Sequence, residues 1–109
     1  MGKAGARFSE AVGAVADELV ERMGPLGPVS WRKMFGGAGV FVDGKMFALV
    51  DPEAQVHLKV GTLNQARFDA AGSTKHGRMP YFTVPEKILA DDRALLEWAR
   101  ESAELARQS

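Results

Sequence analysis

The sequence has 109 residues, 46% hydrophobic and 26% charged, a composition typical of a single globular domain with one core. Its 14 Lys and Arg residues balance 14 Asp and Glu residues, and this net charge of zero argues against a strongly basic nucleic-acid binder. The lack of cysteine excludes disulfides and thiolate metal sites, and without an apolar span or a signal-like N-terminus we expect one cytoplasmic domain over residues 1–109.

The N-terminal segment predicts an amphipathic helix over residues 6–23. Its apolar side chains recur in steps of three and four, with charged residues on the opposite side. They are Phe8, Val12, Val15, Leu19 and Met23. Two prolines and two glycines within residues 24–28 end the helix, because proline cannot continue it and glycine fits its C-terminal cap.

The next segment predicts an antiparallel meander. Strand-like runs at residues 29–35, 40–42 and 45–50 include the hairpin signal Asp43-Gly44, whose two turn positions favour positive φ. After a turn, residues 55–60 alternate strictly. Val56, Leu58 and Val60 share one face, and Gln55, His57 and Lys59 share the other. We therefore expect a sheet that is covered on one side only.

The remaining elements are a helix, a strand and a final helix. Thr62 and Gln65 fit a capping box for a helix with Leu63, Ala66 and Ala70 facing inward. Residues 79–84 predict a strand that Pro80 confines to an edge or a bulge, and Pro85 opens a short helical turn. A last helix begins at Asp91 or Asp92, with inward positions Leu95, Trp98, Ser102 and Leu105.

This order of elements predicts an α+β fold, a two-layer sandwich. An antiparallel sheet of four or five strands would have its helices on one face, in the order helix, three or four strands, helix, strand, helix.

The sequence offers no strong catalytic or metal-binding pattern. His57 and His76 lie 19 residues apart, and neither has a histidine or carboxylate at a usual ligand spacing. No serine lies in a nucleophile elbow. We expect surface histidines, no bound metal or cofactor, and no enzymatic activity.

Three glycines in residues 36–39 form the most unusual local feature. They match neither phosphate-binding glycine motif, because a strand follows them and no Lys with Ser or Thr completes the pattern. We interpret them as a wide turn or bulge that needs positive φ. A weak anion site formed with Arg32 and Lys33 is the alternative.

Aromatic and basic residues are interleaved along the predicted strands. The phenylalanines are expected in the core, whereas Trp31 and Tyr81 suit either the core or a surface. The candidate interaction surface comprises Trp31, Arg32, Lys33, His57, Lys59, Arg78 and Tyr81. This pattern also resembles a stacking platform for single-stranded nucleic acid, although the usual RNA-binding signature is missing.

Four segments, in order, resemble the TfoX N-terminal domain family. RKMFGGAG at residues 32–39 is similar to its R-x-M-F-G-G-x-G signature, and residues 43–49 are similar to its D-G-x-x-F-A-L hairpin. Residues 79–85 resemble its Y-x-x-x-P segment, and residues 96–99 its terminal helix. The resemblance extends over about residues 8–107.

The resemblance implies a small α+β domain, found alone or fused to a helical domain in regulators of natural competence. In the fused proteins it assists a cyclic-AMP-responsive activator at competence promoters. It implies no catalytic residue or ligand, and we interpret the family positions mainly as fold determinants. They are Met34, Phe35, Gly36, Gly37, Gly39, Phe47, Tyr81 and Pro85.

We therefore expect a non-enzymatic accessory module of competence-type transcription that acts through protein contact. Its partner would be transcription machinery or an activator, and the uncovered sheet face would also support a homodimer. Direct binding of nucleic acid and binding of a small molecule are the alternatives.

Overall fold

The computed structural model describes residues 9–109. Its elements, in chain order, are α1 (Glu10–Arg22), a 3-10 turn (Gly24–Leu26), β1 (Val29–Met34), β2 (Gly37–Val42), β3 (Lys45–Val50), β4 (Val56–Lys59), α2 (Gln65–Ala70), β5 (Tyr81–Thr83), α3 (Glu86–Leu89) and α4 (Asp92–Gln108). Within residues 9–109, no helix is both long enough and apolar enough to cross a membrane.

The first predicted helix is confirmed from Glu10 onward. Ser9 caps it, because the Ser9 hydroxyl accepts a hydrogen bond from the Val12 amide at 3.2 Å. Val12 and Leu19 are buried on the side that faces the sheet. The predicted start at residues 6–8, including Phe8, lies outside the described residues.

The five strands form one antiparallel sheet in chain order, which confirms the meander. Asp43 and Gly44 join β2 to β3 with φ values of 52° and 77°, as the hairpin signal predicted. The register shifts between the pairs Val40–Ala48 and Phe41–Met46, which leaves Phe47 as the extra residue of a bulge in β3. The short strand β5 lies at the edge of the sheet, as Pro80 predicted.

The helices cover one face of this sheet, which confirms the predicted two-layer α+β architecture. Helix α1 packs against β1, β2 and β3, and α4 packs against β3 and β4. One row of side chains across the sheet belongs to this helix-facing core: Trp31, Val40, Ala48, Leu58 and Phe82.

The expectation of an open second face is wrong near His57. Only 3% of His57 is exposed, whereas Lys59 is half-buried and Gln55 is exposed. The cause is the segment at residues 73–80, which folds back beside β5 through a bridge between Lys75 and Phe82. It also brings the His76 ring to 4.9 Å from the His57 ring.

The helix predicted after β4 begins two residues later than expected, with Asn64 instead of Thr62 at the N-cap position. Thr62 does not cap it. Instead, the Asn64 side-chain oxygen, Oδ1, accepts a hydrogen bond from the Gly61 amide at 2.9 Å, inside a tight turn. Phe68 fills the core from α2, while Leu63 is 53% exposed. Ala66 and Ala70, also expected to face inward, are exposed.

The C-terminal elements follow the predicted boundaries. Pro85 directly precedes α3, and the Asp91 carboxylate caps α4 by accepting a hydrogen bond from the Ala94 amide at 3.1 Å. Trp98 and Leu105 only flank the buried side of α4. That side consists mainly of small residues: Leu95, Ala99, Ser102, Ala103 and Ala106.

Candidate functional site

The turn between β1 and β2, residues 34–37, is called the hairpin tip below. Met34 pairs with Gly37, and the two residues between them have positive φ, 57° at Phe35 and 74° at Gly36. This is the backbone of a type I′ turn, in which Asn-Gly is the favoured pair. Phe35 is nevertheless 66% exposed, so the tip carries an aromatic side chain that its backbone does not favour.

The glycines of the tip have different roles. Gly36 supplies one of the positive φ values, as expected, whereas Gly37 and Gly39 lie within β2. A Cβ atom at Gly37 would lie 2.1 Å from the Val50 carbonyl oxygen, so glycine permits the close approach of β2 and β3. The prediction of a wide turn over residues 36–39 is therefore correct only for Gly36.

Basic and thioether side chains lie beside the tip. The Arg32 guanidinium is 4.4 Å from the centre of the Phe41 ring, and Lys33 is exposed. The Met34 sulfur lies close to Gly39, where it covers part of the face opposite the helices. The tip thus presents an exposed aromatic ring next to two basic residues.

A cluster of one carboxylate and two imidazoles, Asp51, His57 and His76, lies at the same end of the sheet. It is called the histidine–aspartate cluster below. One potential ligand atom from each residue lies within 4.8 Å of the others. Asp51 and His57 are buried, and His76 is half-buried. Asp51 and His76 also line a small depression beside Phe35, so tip and cluster are neighbours.

Hydrogen bonds orient the first two members of the cluster. One carboxylate oxygen of Asp51, Oδ1, accepts hydrogen bonds from the Glu53 and Gln55 amides, both at 2.9 Å. The His57 Nδ1 atom is 3.2 Å from the Gln55 carbonyl oxygen. Since that oxygen can only accept, Nδ1 carries the proton and Nε2 keeps its lone pair. Nε2 lies 4.0 Å from Asp51 Oδ2.

The protonation of His57 reflects its burial. Desolvation is the largest effect and lowers the pKa of His57 below its usual 6.5, because a buried imidazolium loses hydration. Asp51 and the Gln55 carbonyl oppose this change, and His76 reinforces it. At neutral pH the buried ring is therefore the neutral imidazole, the form that binds metal ions.

The predicted interaction residues do not share one surface. Trp31 is half-buried on the helix-facing side, where its indole nitrogen donates a hydrogen bond to Asp17 at 2.8 Å. Tyr81 is buried on the opposite face, with the Lys59 ammonium 5.7 Å from its ring centre. Arg78 is exposed in the segment that covers His57. Only Arg32 and Lys33 lie beside the hairpin tip.

The histidine–aspartate cluster was not predicted from the sequence. Residues 73–80 bring His76 to His57, and no periodicity indicates that return. The turn after β3 did contain a usable signal, since Asp51 and His57 flank one short hairpin connection six residues apart in the sequence. Paired strands place such residues close together, because Val50 lies opposite Val56.

A shallow groove of about 450 Å³ lies between α1 and α3, on the other side of the β3–β4 loop. Leu19 and Val56 contribute buried apolar surface to it. Two acidic residues, Glu18 and Glu86, line its exposed part. The sequence did not predict this groove.

Comparison with known proteins identifies the family. Curated proteins gave no match to this chain. The TfoX N-terminal domain matches residues 21–106, which extend from the end of α1 almost to the end of α4 and include the hairpin tip and the histidine–aspartate cluster. The chain therefore belongs to the TfoX N-terminal domain family, a family related to the regulation of competence.

Proposed function

We propose that this protein is a non-enzymatic, cytoplasmic regulatory module of competence-type transcription that acts by protein–protein contact through the hairpin tip. The observation that carries the proposal is Phe35, which is 66% exposed and has a φ of 57°. The family supports the regulatory role, and the tip supplies the contact.

Phe35 is unfavourable for the isolated chain in two respects. Positive φ costs a residue with a Cβ atom about 1 kcal/mol, and Asn or Gly at the same position would avoid most of that cost. Because its ring is exposed, Phe35 also gains little of the stabilisation that burial in the core would give. A local departure from both rules is typical of a functional position, because partner binding can recover the energy of the exposed ring.

The surroundings of Phe35 define the chemistry of its partner. Arg32 and Lys33 are exposed nearby, and aromatic residues and arginine are the side chains that most often dominate binding energy at interfaces. The proposed partner therefore offers an apolar pocket with acidic residues at its rim. A protein of the transcription machinery or an activator can offer such a pocket more readily than the phosphate backbone of a nucleic acid can.

The substitution Phe35→Asn separates binding from folding. Asn fits the type I′ turn, so we expect folding stability to be unchanged or about 1 kcal/mol higher in urea unfolding. The Phe35 ring would be buried in the complex, and its loss, worth about 1.5–3 kcal/mol, should weaken partner binding about 10- to 100-fold. Quantitative co-purification at native expression level and transcription of a competence-controlled reporter measure these effects.

Leu63→Asn is the matched control, because Leu63 is the other large hydrophobic residue that is strongly exposed in the described part of the chain. It lies beside Glu97 and Arg100 of α4, not at the hairpin tip. The control should retain partner binding and transcription of the reporter. Equal losses in both variants, or full activity of Phe35→Asn, would contradict the proposal.

A second copy of the chain is the partner we propose to test first. The groove between α1 and α3 is apolar, and its charged lining residues are Glu18, Glu86 and Arg22, with the Arg22 guanidinium 3.4 Å from the Glu18 carboxylate. Two acidic residues against one basic residue still make the groove complementary to the basic hairpin tip. Tip and groove flank one loop, since Pro52 lies beside Phe35 and Ala54 lines the groove. A twofold axis near this loop would make the contact reciprocal. Sedimentation should then show a wild-type dimer and a Phe35→Asn monomer.

Direct nucleic-acid binding remains the alternative function. Exposed Arg32, Lys33 and Arg78 favour it. It predicts affinity that falls with salt, with a slope of about −0.9 per phosphate neutralised, and a strong loss on Arg32→Ala. If nucleic acid binds in this way and Phe35→Asn leaves partner binding unchanged, direct nucleic-acid binding replaces the protein-contact proposal.

A further inference from the structure

We propose that Asp51, His57 and His76 bind one divalent transition-metal ion, with Zn²⁺ as the best match, and leave a coordination position for an exchangeable ligand. This inference is independent of the proposed protein contact, because none of the three residues belongs to the hairpin tip.

Two ligand atoms are already prepared for a cation. His57 Nδ1 donates to the Gln55 carbonyl oxygen, which leaves the Nε2 lone pair available. Asp51 Oδ1 is held by two backbone amides, which leaves Oδ2 available. Nε2 and Oδ2 are both acceptors and lie 4.0 Å apart, a distance too long for a hydrogen bond. A metal ion between them satisfies both atoms.

The third ligand comes from His76. Tetrahedral zinc with bonds of about 2.0–2.2 Å separates its ligand atoms by about 3.4 Å. The three atoms of the cluster lie within 4.8 Å of one another, so binding requires each separation to shorten by up to about 1.4 Å. His76 is half-buried in the segment outside the strands, whereas His57 lies within β4. Most of the contraction is therefore assigned to His76, whereas His57 Nε2 and Asp51 Oδ2, now 4.0 Å apart, need to approach by only about 0.6 Å.

The donor set selects the class of metal. Two imidazole nitrogens and one carboxylate oxygen suit Zn²⁺, Co²⁺, Ni²⁺ or Fe²⁺, whereas Mg²⁺ and Ca²⁺ prefer oxygen ligands. Three protein ligands leave at least one position for water or another donor. The site lies beside the depression next to Phe35, from which such a ligand can approach.

Cobalt and zinc titrations test the site directly. The chain is prepared without a polyhistidine tag and treated with a chelator, so that its two histidines are the only imidazoles present. Co²⁺ should give the intense visible absorption of a four- or five-coordinate site and saturate at one ion per chain. Zn²⁺ should displace it, and Zn²⁺ should also raise the melting temperature.

Variants distinguish a metal site from a buried polar cluster. His76→Ala should weaken Zn²⁺ binding at least about 100-fold, because even outer-shell partners of metal ligands are worth about 10- to 100-fold. Asp51→Asn should weaken it too while its remaining carbonyl oxygen keeps the two amide hydrogen bonds. Lys75→Ala, on the exposed neighbour of His76, is the control and should bind like the wild type.

Each outcome decides the question. One ion per chain, with loss in His76→Ala and retention in Lys75→Ala, supports the site. No saturable binding by the wild type, or the same binding in His76→Ala, overturns it. Because Phe35→Asn retains all three ligands, it should bind Zn²⁺ normally, and a failure of the docking proposal would leave this result unchanged.

Discussion

Tyr81, one of the family positions, has a structural role in the sheet. The ring is 4% exposed on the face opposite the helices, and its hydroxyl donates a hydrogen bond to the Met46 carbonyl oxygen at 3.2 Å. This contact ties the edge strand β5 to the start of β3. The residue therefore closes the second face of the sheet and is unsuited to stack on a partner.

Burial of Tyr81 leads to a prediction for alkaline pH. Desolvation raises the pKa of Tyr81 from 10.0 to about 12, because the phenolate would lose its hydration. Tyr81 is the only tyrosine, so tyrosinate absorbance reports on this residue alone. We expect the folded protein to show little tyrosinate at pH 10 and half conversion near pH 12.

The same shift makes folding stability depend on pH. The folded chain holds its proton more tightly than the unfolded chain, so the stabilisation is complete below pH 10 and is lost as pH rises towards 12. The loss should approach about 2 kcal/mol in urea unfolding. Tyr81→Phe should lack this dependence. Ionisation near pH 10 by a chain that is still folded would contradict the prediction.

At the scale of one element, β2 depends on glycine for a steric reason. A Cβ atom at Gly37 would meet the Val50 carbonyl oxygen at 2.1 Å, whereas one at Gly39 would meet the Met34 sulfur at 2.2 Å. The first obstacle is backbone within the sheet and cannot move alone. The second is the end of a flexible side chain that can adopt another rotamer.

This contrast predicts a graded effect of two alanine substitutions. Gly37→Ala should lower the free energy of unfolding by about 3 kcal/mol or more, and Gly39→Ala by about 1 kcal/mol. Gly24→Ala is the control, since nothing lies within 4 Å of its added Cβ atom. Urea unfolding measures all three. Equal losses in the free energy of unfolding for Gly37→Ala and Gly39→Ala would contradict this prediction, because they would show that the backbone at Val50 moves as easily as the Met34 side chain.

The elements that the sequence predicted well are those defined by local patterns. The Asp43-Gly44 turn, the cap at Asp91 and the stripe of α1 each depend on residues within a few positions of one another. In contrast, the capping box at Thr62 failed because the Asn64 side chain bonds to the Gly61 amide and makes a competing turn.

The candidate site was harder to predict because distant segments form it. Alternation placed His57 on the correct face of β4, but its burial depends on His76, which reaches it only through the return at residues 73–80. The family motif drew attention to Phe35, but the residue was interpreted as a fold determinant and expected in the core. Its exposure follows from the positive φ at the turn, which strand propensity alone does not indicate.

At the scale of the whole molecule, two arginines fasten the helical layer at opposite ends of α4. Arg22 of α1 donates hydrogen bonds to the Asp92 carboxylate at 2.8 Å and to the Leu89 carbonyl oxygen. Arg107 donates to Asp43 and to the Leu26 carbonyl oxygen, both at 2.9 Å. The two arginines therefore join segments that are far apart in sequence.

These two contacts should contribute independently to stability. Arg22→Ala and Arg107→Ala should each lower the free energy of unfolding by about 1–2 kcal/mol, because each loses a charged hydrogen bond to a backbone carbonyl and a partly exposed ion pair. Asp92 and Arg107 are about 22 Å apart along the helix, so the double variant should show additive costs within about 0.5 kcal/mol.

A lysine substitution at residue 107 tests whether the contacts of Arg107 depend on the shape of its guanidinium group or only on its charge. Arg107→Lys keeps the charge but lacks the planar fork that reaches Asp43 and Leu26 together, so it should recover less than half of the stability lost in Arg107→Ala. Arg100→Ala, at an exposed position of α4, is the control and should change stability by less than about 0.5 kcal/mol. Full recovery by lysine would mean that only the charge near Asp43 matters. A strongly non-additive double variant would instead mean that α4 docks as one cooperative unit whose two ends cannot loosen separately.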